Sequence, residues 1–349
     1  MTAASARRRT LRTAADLLDA GLIPPDTAEA VERVARSYAV ALTPAVTDLI
    51  DPADPLDPIA RQYVPSAEEL VTAPEDLADP IGDAAYSPVK GLVHRYPDRV
   101  LLTPLLVCPV YCRFCFRRAR VGDADATMGE AEIDGALAYV AERPDIREVI
   151  LTGGDPLMLP AARLEALLGR IGAITHVDLI RIHSRVPVSD PGRVTARLAG
   201  VLGGPGKAVW LAVHVNHSRE LSPQAAAALS RLAGAGIPLL SQTVLLKGVN
   251  DRAEVLEELF RALVRHRVRP YYLHHPDLAP GTGHFRLTIA EGRALMRRLR
   301  GRLSGIAQPT YVLDIPGGAG KVPVGPDYWD EEAAAVTDPA GVRHGYPPD

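Results

Sequence analysis

The sequence predicts an α/β fold, because apolar stretches of strand length alternate with stretches of helical periodicity from about residue 97 onwards. The strand-length stretches are almost continuously apolar, which is typical of parallel strands that are covered by helices. Alternation alone leaves two architectures open, an open doubly wound sheet and a closed or partial (β/α) barrel. In a barrel, the functional residues are expected at the C-terminal ends of the strands.

Six strand-then-helix units follow one another, and a further short apolar run at 310–314 comes after the last helix. The predicted strands are 100–107, 148–152, 177–183, 209–215, 238–246 and 268–274. The predicted helices are 129–142, 160–171, 191–202, 223–233, 253–266 and 289–303.

Three parts are expected along the chain: a helical N-terminal region over 1–92, the α/β array over 93–321, and a C-terminal tail over 322–349. Helical periodicity in the first part covers 10–20, 27–38 and 66–77. The proline-rich stretch 51–58 is expected to be an extended connector, since proline disfavours helix at the residue before it. The tail is rich in Pro and Gly and is expected to be irregular.

The composition of the chain limits the classes of protein to which it can belong. The chain has 349 residues, of which 47% are hydrophobic and 23% are charged, and its formal net charge is −3. This is typical of a globular protein and argues against a nucleic-acid partner held by a basic surface. No run reaches the roughly 20 apolar residues of a membrane helix. Residues 1–19 include Arg7, Arg8 and Arg9 but no apolar core of a signal peptide, so a cytoplasmic protein is expected.

All three cysteines lie in one short segment, Cys108-Pro-Val-Tyr-Cys112-Arg-Phe-Cys115, directly after the first predicted strand. Disulfides are not expected in a cytosolic chain, and structural zinc usually has four ligands in two separated pairs. Three thiolates on one tight loop suit a [4Fe–4S] cluster whose fourth iron stays open to a ligand. The spacing, with Phe114 before the last cysteine, resembles the radical S-adenosylmethionine (SAM) superfamily.

A glycine-rich turn closes the second predicted strand in the segment Leu151-Thr-Gly-Gly-Asp155. By itself this is an ordinary strand-to-helix turn, where Gly and Asp are common. Beside the cysteines it resembles the turn of radical SAM enzymes that binds the amino group of the methionine moiety of SAM. Gly153, Gly154 and Asp155 are therefore expected to contact SAM.

Several further segments, in order, resemble the lysine 2,3-aminomutase family, and the match runs from about residue 55 to 325. They are His94-Arg-Tyr-Pro-Asp-Arg99, Phe116-Arg-Arg-Ala-Arg120, Gly248-Val-Asn-Asp251, Arg269-Pro-Tyr-Tyr272, Gly283-His-Phe285 and Asp314-Ile-Pro-Gly-Gly-Ala-Gly-Lys321. The resemblance implies a partial (β/α)6-type radical SAM barrel and an aminomutase, an isomerase that converts L-lysine to β-lysine by 2,3-amino migration.

The same resemblance implies a second cofactor, pyridoxal 5′-phosphate (PLP). Lys321, one of only four lysines against 35 arginines, matches the lysine that binds PLP covalently. A surface lysine is the ordinary alternative, and a Walker A loop is excluded because Ile315 and Val322 replace its required residues. Arg95 matches the arginine that contacts the PLP phosphate, and Gln242 matches a position near the cofactors.

Three positions are implied to bind the substrate. Arg117 matches the arginine that takes the α-carboxylate, for which a bidentate salt bridge is the natural geometry. Asp277 and Asp314 match the two aspartates that hold the ε-ammonium of lysine. Paired carboxylates at the far end of a pocket specify a distal cation, so the sequence favours lysine over glutamate.

Longer family members carry further cysteines that bind zinc and support assembly, whereas this chain has only three cysteines. No zinc site is therefore expected, and a homo-oligomer stays an open alternative. A one-electron reductant such as flavodoxin or ferredoxin is implied as a partner. The alternatives are the same chemistry on glutamate, arginine or a protein-bound residue, and a noncatalytic iron–sulfur or zinc protein.

Overall fold

A sheet of nine strands, ordered as they occur in the chain, forms the centre of the computed structural model, which describes residues 9–123 and 126–348. The seven strands from β2 to β8 are parallel, and an antiparallel strand is added at each edge. The strands are β1 (Leu92–Tyr96), β2 (Arg99–Leu105), β3 (Glu148–Gly153), β4 (Leu179–Ser184), β5 (Ala208–His214), β6 (Leu239–Val244), β7 (Val268–His274), β8 (Thr310–Ile315) and β9 (Gly320–Pro323).

The sheet curves around one internal cavity, which decides between the two architectures that alternation leaves open. Side chains from all nine strands border this cavity: Arg95, Leu101, Ile150, His183, His214, Gln242, His274, Asp314 and Lys321. Within the described residues, β1 and β9 end the strand order without pairing with each other. The fold is thus a partial (β/α) barrel, as the resemblance implies.

The helices of the barrel follow its parallel strands, and their apolar faces share one continuous hydrophobic core with the sheet. The ends of the six predicted helices agree with the structure to within a few residues, whereas the short helix Val186–Ser189 was not predicted. The largest difference is at α8, because residues 191–193 form a separate 3₁₀ turn before it. The helices are α5 (Glu130–Ala141), α6 (Ala161–Gly172), α7 (Val186–Ser189), α8 (Ala196–Gly203), α9 (Pro223–Gly234), α10 (Ala253–Arg265) and α11 (Ile289–Leu299).

The described part of the N-terminal region contains four short α-helices. They are α1 (Ala14–Asp19), α2 (Ala28–Ser37), α3 (Pro44–Thr47) and α4 (Pro58–Tyr63). Residues 1–8, which include Arg7 and Arg8, lie outside the described residues.

Two expectations for this region are wrong. The stretch 51–58 forms two successive turns, because Asp51 and Asp54 each accept a hydrogen bond from the N–H two residues on, at 2.9 Å. The stretch 66–77 holds only a 3₁₀ turn, Ala67–Leu70. Its chain then continues in non-helical form to Leu77, whose N–H donates to the carbonyl of Leu278 at 2.7 Å.

The C-terminal tail is also more regular than predicted. After β9 the chain forms a small antiparallel sheet of β10 (Trp329–Asp330), β11 (Ala335–Thr337) and β12 (Arg343–Gly345). The rings of Trp329 and Tyr346 meet edge to face, with centroids 6.4 Å apart. Strands of two or three residues are too short to show an alternating pattern in sequence.

Across the described part of the chain, no helix combines the length and the apolar character that crossing a membrane requires.

Candidate active site

A cavity of about 500 Å³ inside the barrel brings together most of the predicted site residues. The predicted residues that border it are Arg95, Cys112, Cys115, Arg117, Gln242, Asp277, Asp314 and Lys321. They come from strands at both edges of the sheet, from β6, from the loop after β2 and from the segment that follows β7. Residues up to 226 positions apart in the chain, from Arg95 to Lys321, therefore share one enclosed space.

The three cysteines lie on the loop that follows β2 and are free thiols. The N–H of Cys115 donates to the carbonyl of Cys112 at 3.1 Å, which closes a tight turn between them. Burial raises the pKa of all three thiols, that of Cys112 to about 11; Cys112 and Cys115 also raise the pKa of Cys108, and Cys115 raises that of Cys112. The thiols are therefore close enough to interact as one electrostatic group.

The loop suits an anionic cluster rather than a single ion. Four arginine side chains, Arg113, Arg117, Arg118 and Arg185, lie near enough to lower the pKa of one or more of the thiols. In residues 9–123 and 126–348, no three His, Cys, Asp or Glu side chains converge as ligands of one metal ion. In a [4Fe–4S] cluster each thiolate binds a different iron, so the three thiols need not converge on one point.

A buried charge cluster supports the cysteine loop. Glu69 accepts hydrogen bonds from Arg113 at 2.6 and 3.0 Å and from Arg118, and both arginines flank the cysteines in the chain. The Glu69 carboxylate also accepts the N–H of Ser66 at 2.9 Å. Arg118 in turn donates to the carbonyls of Arg113 and Gly281, at 2.8 and 2.9 Å. This cluster, which the sequence analysis missed, ties the loop to the N-terminal region.

The glycine-rich turn lies directly beside the start of the cysteine loop. Gly153 has a φ of +107°, and a Cβ at Gly154 would lie 2.5 Å from the backbone of Val107, so neither position accommodates a side chain. Asp155 lies near Cys108 and raises the pKa of that thiol.

The Asp155 carboxylate is engaged within the protein rather than directed at the cavity. It accepts hydrogen bonds from Ser184 Oγ at 2.8 Å and from the N–H groups of Leu157, Arg185 and Val186 at 2.7 to 3.1 Å. The side chain therefore joins the ends of β3 and β4. The backbone of the turn is the part that could meet SAM, and SAM binding by these three residues stays a prediction.

Lys321 lies on β9, directly opposite Asp314 on β8. Its Nζ forms an ion pair with Asp314 and lies 3.3 Å from Nδ1 of His274. Burial favours the neutral form of Asp314, but hydrogen bonds from His274 and Lys321 hold its pKa below the ordinary value. Burial lowers the pKa of His274, so its imidazole is neutral. The predicted anchor lysine therefore has a carboxylate and a neutral imidazole as neighbours.

Asp277 lies near Asp314 in the same cavity. Burial, together with the charge of Asp314, raises its pKa to about 7, although Lys321 and Arg117 act in the opposite direction. The structure thus brings the two predicted carboxylates together, and it places Arg117 close enough to affect one of them.

Arg95 and Arg117 share a partner that the sequence analysis missed. Asp83 accepts a hydrogen bond from Arg95 at 3.1 Å and two from Arg117, at 2.7 and 3.2 Å. The sequence offers only a general reason to expect a residue such as Asp83, namely that buried arginines need acidic partners.

Gln242 lies within β6 and forms a hydrogen bond with His214, whose pKa burial lowers to about 3. His274 and His275 face opposite sides of β7, as predicted for adjacent strand residues. His274 borders the cavity, whereas His275 bonds to the hydroxyl of Tyr311 at 2.7 Å.

Comparison with known proteins agrees with this geometry. Residues 102–260 match the radical SAM superfamily, and residues 296–336 match the family described as lysine-2,3-aminomutase. The L-lysine 2,3-aminomutase of Fusobacterium nucleatum subsp. nucleatum is 42% identical over 300 residues, which cover 86% of this chain and 70% of the relative. That of Clostridium subterminale is 43% identical over 300 residues, covering 86% and 72%.

This chain belongs to the lysine 2,3-aminomutase family. It is accordingly a radical SAM enzyme, whose cofactors include a [4Fe–4S] cluster and SAM, and Cys108, Cys112 and Cys115 fit the cluster motif. The glutamate 2,3-aminomutase of Clostridioides difficile is also similar, at 37% identity over 248 residues, covering 71% of this chain and 58% of that relative. Since relatives with two different substrates match, the substrate must be argued from the cavity itself.

Proposed function

We propose that this chain is a PLP-dependent L-lysine 2,3-aminomutase, which moves the amino group of L-lysine from C2 to C3 to give β-lysine. The observation that carries the proposal is the content of one cavity. Its lining includes the amine of Lys321, the carboxylates of Asp277 and Asp314, and the guanidinium groups of Arg95 and Arg117, beside two of the three cysteines.

The residues around Lys321 fit PLP. The lysine Nζ lies in the cavity, and the ring centroid of Tyr272 is 5.6 Å from it. Its backbone N–H donates to the Tyr96 hydroxyl at 2.6 Å, which fixes the start of β9. Arg95 borders the same cavity and would hold the phosphate. When bound, the cluster and SAM supply a radical that removes hydrogen from the substrate, and PLP supplies a carbon that carries the migrating nitrogen.

The amine of Lys321 has two polar neighbours, the carboxylate of Asp314 and the imidazole of His274. A lysine amine must lose its proton before it can act as a nucleophile. Nδ1 of His274 lies 3.3 Å from Nζ and carries the proton that His274 shares with Asp314, so this histidine orients the carboxylate rather than accepting the lysine proton. Once Lys321 is neutral, Asp314 has no ammonium partner there and would be free to bind another one.

The charge arrangement favours a substrate with an anionic and a cationic end. Arg117 would bind the α-carboxylate, and Asp277 with Asp314 would bind the ε-ammonium. Glutamate would bring a second carboxylate against these aspartates, and repulsion between like charges in a buried site is unfavourable. The two aspartates therefore support lysine as the substrate.

The test is an anaerobic assay of reconstituted protein with PLP, SAM, dithionite and L-lysine, with β-lysine detected by mass spectrometry. We expect β-lysine from the wild type and none from Lys321→Ala or Cys112→Ala. Lys207→Ala is the matched control, because Lys207 is a half-buried lysine outside the cavity and its loss should leave the yield unchanged. Parallel assays with glutamate and arginine test the substrate.

Each product reports on a different part of the proposal. If 5′-deoxyadenosine formed without β-lysine, the radical machinery would be right and lysine would be the wrong substrate. If neither formed from protein with full iron and bound PLP, the proposed reaction would be wrong. Replacing dithionite by a flavodoxin or a ferredoxin would identify the class of the one-electron reductant.

A further inference from the structure

The Asp83 carboxylate accepts hydrogen bonds from two of the arginines that border the cavity, Arg95 and Arg117. One oxygen accepts from Arg95 Nη2 at 3.1 Å, and the other accepts from Arg117 Nη2 at 2.7 Å and Nε at 3.2 Å. The three side chains are only 8 to 12% exposed, so water screens their charges weakly. Two guanidinium groups this close would repel each other without the carboxylate between them.

The group formed by Asp83, Arg95 and Arg117 keeps a net charge of +1, so it can still attract an anion. Arg95 comes from β1, whereas Arg117 comes from the cysteine loop, two residues after Cys115. No secondary-structure element joins these two positions, and Asp83 connects them through side chains alone. The distance between the two guanidinium groups therefore depends on this carboxylate.

The backbone around Asp83 is itself fixed. Asp79 accepts the N–H groups of Asp83 and Ala84, at 3.0 and 2.8 Å. Arg95 donates a second bond to the carbonyl of Ile81, at 2.5 Å. Such a short, multiply bonded segment has little freedom to let the carboxylate move.

The same segment packs against the glycine-rich turn that leads to Lys321. A Cβ at Gly82 would lie 2.5 Å from the backbone of Gly317, and a Cβ at Gly318 would lie 2.5 Å from the ring of Tyr86. These approaches are too close for any side chain, so the two segments fit against each other through glycine backbone. Segment 79–86 thus contacts both arginines and the turn that carries the anchor lysine.

We propose that Asp83 is a positioning residue that sets the spacing between the PLP-phosphate site at Arg95 and the substrate-carboxylate site at Arg117. The inference rests on the proposed function, which assigns those two anions to the two arginines. The inference adds a residue that would contact neither ligand but fixes the relative positions of Arg95 and Arg117, which would bind them. Loss of its charge should therefore disturb two binding constants at once.

The experiment measures the dissociation constants of PLP and of L-lysine by anaerobic titration, which requires no turnover, together with iron content and thermal unfolding. In Asp83→Asn we expect both constants to rise, by about tenfold each, because each arginine loses a hydrogen bond to a charged partner. Arg95→Lys should raise mainly the constant for PLP, and Arg117→Lys mainly the constant for L-lysine.

Asp76→Asn is the matched control, because Asp76 is also a buried aspartate paired with an arginine, Arg286, yet borders no part of the cavity. It should leave both constants unchanged. If Asp83→Asn lost iron, Asp83→Glu would decide, since it keeps the charge but shifts the carboxylate by one methylene. With full iron content, we expect it to raise both constants by about threefold.

A rise in only one constant, or in neither, at full iron content would overturn the role of Asp83. The reaction is tested separately: if the wild type bound PLP and L-lysine but made no β-lysine, the proposed function would fail. In that case the two dissociation constants would still decide whether Asp83 sets the spacing of the two arginines.

Discussion

Two groups of buried charges flank the cysteine loop, and they differ in what surrounds them. The Glu69 cluster, formed by Glu69, Arg113 and Arg118, lies outside the active-site cavity, and its side chains are 1 to 4% exposed. Arg95, Arg117 and the Lys321–Asp314 pair border the cavity, and their side chains are 10 to 22% exposed. Both groups consist of carboxylates paired with basic side chains, so the type of residue does not distinguish them. The difference is in exposure: the fully buried charges hold the loop, and the partly exposed ones are available to bind ligands.

The largest effect is expected from breaking the Glu69 cluster. Glu69→Gln leaves Arg113 and Arg118 buried without their counter-charge, and losing one partner of such a group costs about 3–5 kcal/mol. We expect a lower thermal midpoint and loss of most iron from the purified protein. The neighbouring exposed Glu68 offers the control, and Glu68→Gln should keep the wild-type iron content. Full iron content in Glu69→Gln would show that the cluster does not support the loop.

Removing a charge at the cavity should weaken ligand binding and leave the Glu69 cluster unchanged. Asp314→Asn removes a charged partner of the substrate ammonium, worth about 1.5–3 kcal/mol, so the affinity for L-lysine should fall roughly 10- to 100-fold. Iron content should stay at the wild-type value. Isothermal titration with L-lysine measures the change. An Asp277→Asn/Asp314→Asn variant that bound L-lysine with full affinity would contradict the assignment of both aspartates.

Asp277 should make kcat/KM for L-lysine depend on pH. Burial raises its pKa to about 7, so the carboxylate is protonated below that pH and no longer attracts the ε-ammonium. We expect kcat/KM for L-lysine to fall below pH 7, by up to about tenfold per unit, since this parameter reports the free enzyme. Asp277→Asn should start from a lower kcat/KM and lose this dependence. A wild-type profile that stays flat between pH 6 and 8 would count against ionised Asp277 as a substrate ligand.

The sequence predicts the parts of the molecule that depend on local pattern. β3 (Glu148–Gly153) was expected at 148–152 because a buried parallel strand is a continuous apolar run. Cys108, Cys112 and Cys115 were found because cluster ligands must lie on one short loop. Lys321, Asp277 and Asp314 needed the family resemblance, since an isolated lysine or aspartate carries no pattern of its own.

The supporting residues could not be found in this way. Glu69 lies 44 residues before Arg113, and Asp83 lies 34 residues before Arg117. Nothing in their local sequence distinguishes them from surface acids, because what defines them is burial by a part of the chain far away. The short strands β10 to β12 were missed for a related reason, since their pairing is set by contact rather than by alternation.

The smallest effect is expected at a surface ion pair whose geometry matches that of the Glu69 cluster. Arg147 and Asp178 approach to 2.6 Å, the same distance as Arg113 and Glu69, yet their side chains are 55 and 60% exposed. Water and salt screen such a pair, which contributes about 0.2–1 kcal/mol. Asp178→Asn should therefore change the thermal midpoint slightly and leave iron content and L-lysine affinity as in the wild type. If it destabilised the protein as much as Glu69→Gln, distance rather than burial would govern the strength of these pairs, and the separation of holding from binding charges would fail.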